Sequence, residues 1–147
     1  MPVRRERTNQ IFDPVLRVEH TALKADKLVY LLVANKPIWY GRDYSRVVYV
    51  GTTEKGLRRI AGSTAYRVKE AIDKLRGIRR LEAYVIWCKP RRKVRMWRKL
   101  ERAILLAFRE VYGRVPMLNS HGKKIKETNE FKLFSRKAIT RIVRRYG

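Results

Sequence analysis

The sequence predicts a mixed α/β (α+β) unit: a small three-stranded antiparallel sheet flanked by helices, with a basic helix at the C-terminal end. Three observations predict it. Two runs rich in β-formers, Leu28–Ala34 and Val47–Val50, are separated only by turn material. Leu81–Cys88 alternates apolar residues with a period of two. Beyond these, apolar residues recur at spacings of three and four, the signature of amphipathic helices.

Residues 1–26 mix charge with scattered apolar positions around Pro14 and read as an N-terminal arm. Leu28-Val-Tyr-Leu-Leu-Val-Ala34 is apolar without interruption, as expected of a strand buried on both faces. Asn35-Lys-Pro and Gly41-Arg-Asp predict a long, basic, aromatic hairpin loop holding Trp39, Tyr40 and Tyr44 before the strand Val47–Val50. Thr52–Gly62 reads as a turn into a short helix, and Tyr66–Arg76 as its helical continuation, stopped by Gly77. The third strand places Leu81, Ala83, Val85 and Trp87 on one face and ends at Pro90. A long helix is predicted from about Arg91 to Tyr112, striped by Trp97, Leu100, Ile104, Phe108 and Val111 and terminated by Gly113 and Pro116. Phe134–Tyr146 closes the chain as a very basic helix. The expected organisation is an arm over 1–26, a main domain over 27–120 and a helical extension over 121–147 in the same compact unit.

The chain of 147 residues carries 37 Lys or Arg against 13 Asp or Glu, a net charge of +24, while 45% of it is hydrophobic. That much apolar material excludes a disordered basic tail. Thermophile-type charge enrichment raises acids and bases together, whereas here most cations lack an internal counter-ion. Such a surface is suited to a polyanion, with nucleic acid ahead of an anionic membrane. No apolar run approaches the ~20 residues needed to span a bilayer. The basic start lacks an apolar segment after it, so no secretory signal is expected and an intracellular location fits. Cys88 is the single cysteine, leaving no intramolecular disulfide and no Cys-rich zinc site. His20 and His121 are too few and too far apart to suggest a metal cluster, and Gly51–Gly56 lacks the spacing of a phosphate-binding loop.

Glu101 is the most informative single residue. At about 100° per residue, Ile104, Phe108, Glu101 and Leu105 fall at roughly 340°, 20°, 40° and 80° from Trp97, so the carboxylate lies within the apolar stripe. A buried charge needs compensation. An ion pair with Arg98 or another arginine would supply it, and so would a hard cation such as Mg²⁺. Tyr30 and Tyr49 lie on the two arms of the hairpin and share a face if the register has the right parity. Either could equally be a core tyrosine with its hydroxyl tied up.

Taken together these residues resemble the GIY-YIG nuclease family. Tyr49-Val-Gly51 is similar to the second signature at the end of a hairpin strand, and Leu28-Val-Tyr30 to a degenerate first one. Arg59 stands ten residues after Tyr49 and just before an apolar residue, Glu101 lies in the helix after the third strand, and Pro116-Met-Leu-Asn119 follows that helix. The resemblance covers about residues 27–120. Leu28 replaces the family's first glycine, the connection between the tyrosines is longer than usual, and Ser63 stands where a histidine is common.

The resemblance implies a DNA endonuclease, of restriction or mobile-element type, that hydrolyses phosphodiesters with one Mg²⁺ or Mn²⁺. It implies Glu101 as the metal ligand, Arg59 as donor to the non-bridging oxygens, Tyr30 or Tyr49 as the group that orients or deprotonates water, and Asn119 as a positioning amide. Binding is expected from Arg58, Arg91, Arg92, Lys93, Arg95, Lys123 and Lys124. Lys89–Arg102 holds eight cations in fourteen positions, and Lys132–Arg145 adds a further basic stretch to the same phosphate-tracking surface. Double-strand cutting with one site per chain favours a homodimer, and RNA stays open as a substrate. A non-catalytic nucleic-acid-binding module on the same fold is the alternative.

Overall fold

A computed structural model describes residue 9 and residues 23–147 of the chain. The expected N-terminal arm lies almost wholly outside the described residues. Strands β1 (Leu28–Trp39), β2 (Tyr44–Thr53) and β3 (Leu81–Ile86) form one antiparallel sheet in the order β2-β1-β3. Helices α1 (Leu57–Lys74), α2 (Met96–Tyr112), the single turn α3 (Glu130–Leu133) and α4 (Arg136–Arg145) complete the fold. Among the described residues, no helix is long and apolar enough to cross a membrane.

The unbroken apolar run explains why β1 is central. Leu28, Tyr30, Leu32 and Ala34 pack with Val48, Ile60, Ala71 and Leu118 on the α1 side. Val29, Leu31 and Val33 point the other way, into a core with Leu100, Ile104 and Phe108 of α2 and with Ile139 and Val143 of α4. Each large aliphatic side chain buried there contributes roughly 1.5–3 kcal/mol. The result is three layers, with α1 on one face of the sheet and α2 with α4 on the other.

The hairpin departs from the sequence expectation. Strand β1 runs on through Asn35-Lys-Pro-Ile-Trp39, and the loop shrinks to Tyr40–Asp43, with Gly41 at φ 100°. Register shifts between Val33 and Ile38 let Pro37 ride in the strand without needing a ladder donor. Asn35 pins the chain there: its Oδ1 accepts from the Arg79 and Arg80 amides, and its backbone N–H donates to the Arg80 carbonyl. Tyr40 is buried, donating its hydroxyl to the Val47 carbonyl at 2.6 Å and accepting from the Met117 amide at 3.2 Å. Trp39 and Tyr44 are exposed and pack on each other with ring centroids 5.0 Å apart.

Residues 57–74 form one helix rather than a short helix and its continuation, because Gly62 and Thr64 break nothing: Thr64 returns its hydroxyl to the Ile60 carbonyl. Helix α2 starts at Met96, five residues later than expected. Arg91–Val94 closes a tight turn instead, with Lys93 at φ 62°. Strand β3 is an edge strand, half-buried at Leu81 and Val85 and exposed at Ala83; Trp87 falls beyond its end and is exposed.

Part of the positive charge has a structural use. The Arg102 guanidinium donates to fully buried Glu130 at 2.6 Å and to the Lys126 carbonyl, and Lys99 reaches Thr128. Arg109 donates to the Lys123 and Ile125 carbonyls. These arginines strap the segment leading to α3 along α2, so the eight cations of Lys89–Arg102 are not all free for an outside anion. Arg136, at the start of α4, pairs with Glu110 and Glu127.

Candidate active site

The β1–β2 register decides where the two tyrosines point. Tyr30 faces Gly51 and Leu32 faces Tyr49, so the tyrosines are diagonal neighbours on one face of the sheet. Their ring centroids are 5.9 Å apart. Gly51 makes this possible: a Cβ there would lie 2.7 Å from Tyr30 Cζ, 2.7 Å from Tyr49 Cε1 and 2.8 Å from the Tyr30 hydroxyl. Both rings fold over the bare glycine, which gives the Tyr-Val-Gly sequence a steric reason.

Helix α1 lies over that face. The Tyr30 hydroxyl and Ser63 Oγ share a hydrogen bond at 2.8 Å, and burial pushes the Tyr30 phenol up from its ordinary value. One turn further on, the Arg67 guanidinium sits 4.3 Å from the centre of the Tyr49 ring. Its Nη1 donates to Glu70 at 3.0 Å and reaches the Leu118 carbonyl at 3.5 Å, while its Nε is buried with no partner. Arg59, Ser63 and Arg67 follow at four-residue spacing and so line one side of α1. Arg59 itself is exposed, at a cleft of about 450 Å³ lined by Lys55, Arg58 and Gly62 as well.

Asn119 is buried at the outer edge of β2. Its Oδ1 accepts from the Val50 amide and its Nδ2 donates to the Val50 carbonyl, both at 2.9 Å. The preceding Leu118 amide donates to the Val48 carbonyl at 2.9 Å. Residues 118–119 therefore cover an otherwise unpaired strand edge. They hold the strand at the residue between Tyr49 and Gly51.

Glu101 is 9% exposed, within the apolar side of α2. Its side-chain partner is not Arg98: His121 Nε2 lies 3.5 Å from Glu101 Oε1. Burial pushes its carboxyl above the usual carboxylate range, with His121, Arg98 and Arg102 pulling it back. His121 belongs to the same segment as Asn119, so that segment ties Glu101 of α2 to the β2 edge at Val50. Among the described residues no group of three His, Cys, Asp or Glu could enclose a metal. Glu101 by itself offers one hard oxygen donor of the kind Mg²⁺ accepts, whereas the His121 imidazole beside it is not a ligand type that ion favours.

The structure thus brings Tyr30 and Tyr49 into contact, hooks Asn119 to the strand between them and links Glu101 to that hook. It shows no direct contact of Arg59 or Glu101 with the tyrosines. Arg91, Arg92, Lys93 and Arg95 sit exposed in the turn before α2, and Lys123 and Lys124 are exposed in the segment after it. Arg67 and His121 are the site residues that sequence reasoning missed. The four-residue step from Ser63 could have found Arg67; no local signal marks His121. Comparison with protein-family models, with curated proteins and with solved structures returns no match.

Proposed function

We propose that the chain is a metal-dependent DNA endonuclease of GIY-YIG type. The observation that carries this reading is the tyrosine pair closed over Gly51, with Asn119 fixing Val50 between Tyr49 and Gly51. Hydrolysing a phosphodiester requires a positioned water, neutralisation of charge on the phosphorane and help for the leaving oxygen. Glu101 would hold a single Mg²⁺ or Mn²⁺, which would supply Lewis acidity at the phosphate. Arg59 extends from the cleft on α1 and donates forked hydrogen bonds to the non-bridging oxygens, a task that suits a guanidinium better than an ammonium. Tyr30, bonded to Ser63, and Tyr49 beside it orient the attacking water through their hydroxyls. Arg58, Arg91, Arg92, Lys93, Arg95, Lys123 and Lys124 hold the DNA backbone. The protein acts inside the cell, and cutting both strands calls for two copies.

A second reading is a nucleic-acid-binding module without turnover. It is favoured by the partners that Tyr30 and the Arg67 Nη1 already have within the chain, Ser63 and Glu70. Supercoiled plasmid incubated with Mg²⁺, Mn²⁺ or excess chelator separates the two. Metal-dependent nicking or linearisation is expected; retarded but uncut DNA in every lane, on a sequence-diverse substrate, selects the binding module.

A further inference from the structure

The surroundings of Arg67 differ from those of the arginines that hold the fold together. Arg102 directs its Nε to Glu130 and its Nη2 to the Lys126 carbonyl, and Arg109 directs its two Nη atoms to the Lys123 and Ile125 carbonyls. Arg67 is less well served. Its Nη1 donates to Glu70 Oε1 at 3.0 Å and reaches the Leu118 carbonyl only at 3.5 Å, while its Nε is buried and, among the described residues, without a partner. A buried donor with no acceptor costs stability. An unbranched apolar side chain at residue 67 would pack on Tyr49 and orphan nothing. Stability alone therefore does not explain a guanidinium there.

Its position does. The guanidinium carbon stands 4.3 Å from the centre of the Tyr49 ring, where the negative face of the ring attracts a cation. Burial works against the charge of Arg67, and Tyr49 and Glu70 outweigh it, so the guanidinium keeps its proton more firmly than a free one. The same ring meets Tyr30, with centroids 5.9 Å apart, and lies over Gly51. Those contacts come from the sheet; the guanidinium comes from α1. Its Nη1 also points to the carbonyl of Leu118, the residue before Asn119, whose side chain holds Val50. Arg67 thus joins the helix, the Tyr49 ring and the segment that hooks the strand beside it. With a side chain 21% exposed and its charge already met by Glu70, it is poorly placed to be one more phosphate contact.

We infer that Arg67 is a positioning residue of the proposed reaction, holding the Tyr49 ring so that its hydroxyl orients the attacking water. The inference rests on the nuclease reading and adds to it a group outside the residues that the resemblance implies. Arg67 acts through Tyr49; it does not touch the substrate, and no bond is made or broken at it. A displacement of about 1 Å in a positioned group is enough to cost on the order of a hundredfold in rate. Because the charge faces a ring and not the DNA, its loss is expected in the maximal rate and not in binding.

The test uses the full chain and a supercoiled plasmid pool of diverse sequence in Mg²⁺. The maximal single-turnover rate and the protein concentration giving half of it are both measured. Arg67→Met keeps the bulk and removes the charge. It is expected to lower the maximal rate about a hundredfold and to leave half-saturation, and DNA affinity in excess chelator, within about threefold. Arg67→Lys keeps a cation for the ring and is expected to retain the rate to within about tenfold. Lys69→Met, which removes an exposed cation from the same helix, is expected to cut like wild type. The melting temperature of Arg67→Met is expected within about 3 °C of wild type. If unpaired Glu70 lowers it further, Arg67→Met/Glu70→Gln removes that carboxylate's charge and repeats the comparison. Met variants that cut within a few-fold of wild type overturn the inference and leave the nuclease reading standing. So does a loss confined to half-saturation, which would make Arg67 a DNA contact, a Lys variant no faster than Arg67→Met, or an equal loss in Lys69→Met. A wild type that never cuts the pool removes the nuclease reading, and the role of Arg67 with it.

Discussion

Gly51→Ala and Gly62→Ala are the same chemical change with opposite expected signs. At Gly51 the added methyl would stand 2.7 Å from carbons of two rings, where ordinary carbon contacts are about 3.5–4.0 Å. Neither ring is a loose end. Tyr30 is 3% exposed and bonded to Ser63, and Tyr49 is 8% exposed beneath Arg67. Overpacking of this kind costs about 1–3 kcal/mol, and displacing the Tyr30 hydroxyl forfeits a hydrogen bond worth about 0.5–1.5. The sum is about 3 kcal/mol, hence a melting temperature lowered by roughly 6–12 °C for a chain of this size. Gly62 lies inside α1 with nothing within 4 Å of its added Cβ. Alanine there is expected to stabilise by about 0.5–1 kcal/mol, through lower backbone entropy in the unfolded chain. Urea unfolding of the two variants beside wild type measures both. A Gly51→Ala protein within about 0.5 kcal/mol of wild type would refute the argument that the glycine exists to let the tyrosines close.

Other outcomes follow from the same contacts. Asn119→Ala leaves the Val50 amide and carbonyl without their partners and is expected to cost about 2–4 kcal/mol in urea unfolding, with the slope against denaturant unchanged. For Glu130, burial alone would raise the carboxyl, but the Arg102 guanidinium and the Thr128 donors outweigh it and hold it at about 2. Its folded value lies below the free value of about 4.3, so the group stabilises the fold above that pH and loses its contribution as pH falls toward 2. Glu130→Gln is expected to cost about 3 kcal/mol at pH 7 and progressively less below pH 4; a cost independent of pH would contradict the ion-pair account.

The central strand was legible because a run with no polar residue from Leu28 to Ala34 has to be covered on both faces, and both faces are covered. Glu101 was legible because a carboxylate inside a stripe of period 3.6 cannot avoid burial. The facing of Tyr30 and Tyr49 was legible only up to parity, since a one-residue slip in register reverses it. Sequence reasoning failed where a side chain completes the backbone's hydrogen bonds from a distance. Asn35 and buried Tyr40 turn apparent loop into strand, and Arg91–Val94 closes a turn where periodicity alone continued a helix. His121 as the neighbour of Glu101, and Arg102 as the partner of Glu130, join residues 20 and 28 positions apart in the chain, which no local pattern encodes. The two buried glutamates differ for that reason: Glu130 is fully compensated, whereas burial dominates at Glu101.

That contrast gives the most direct measurement, a comparison of wild type with Glu101→Gln for unfolding free energy and for single-turnover cleavage of a sequence-diverse plasmid pool in Mg²⁺. The folded carboxyl of Glu101 lies above its free value, so its ionised form at neutral pH opposes folding, and the amide is expected to be at least as stable as wild type. Cleavage is expected to fall by about a hundredfold or more, as for loss of a principal transition-state charge contact. A Glu101→Gln protein that cuts within a few-fold of wild type, or a wild type that binds the pool and never cuts it, would contradict the account.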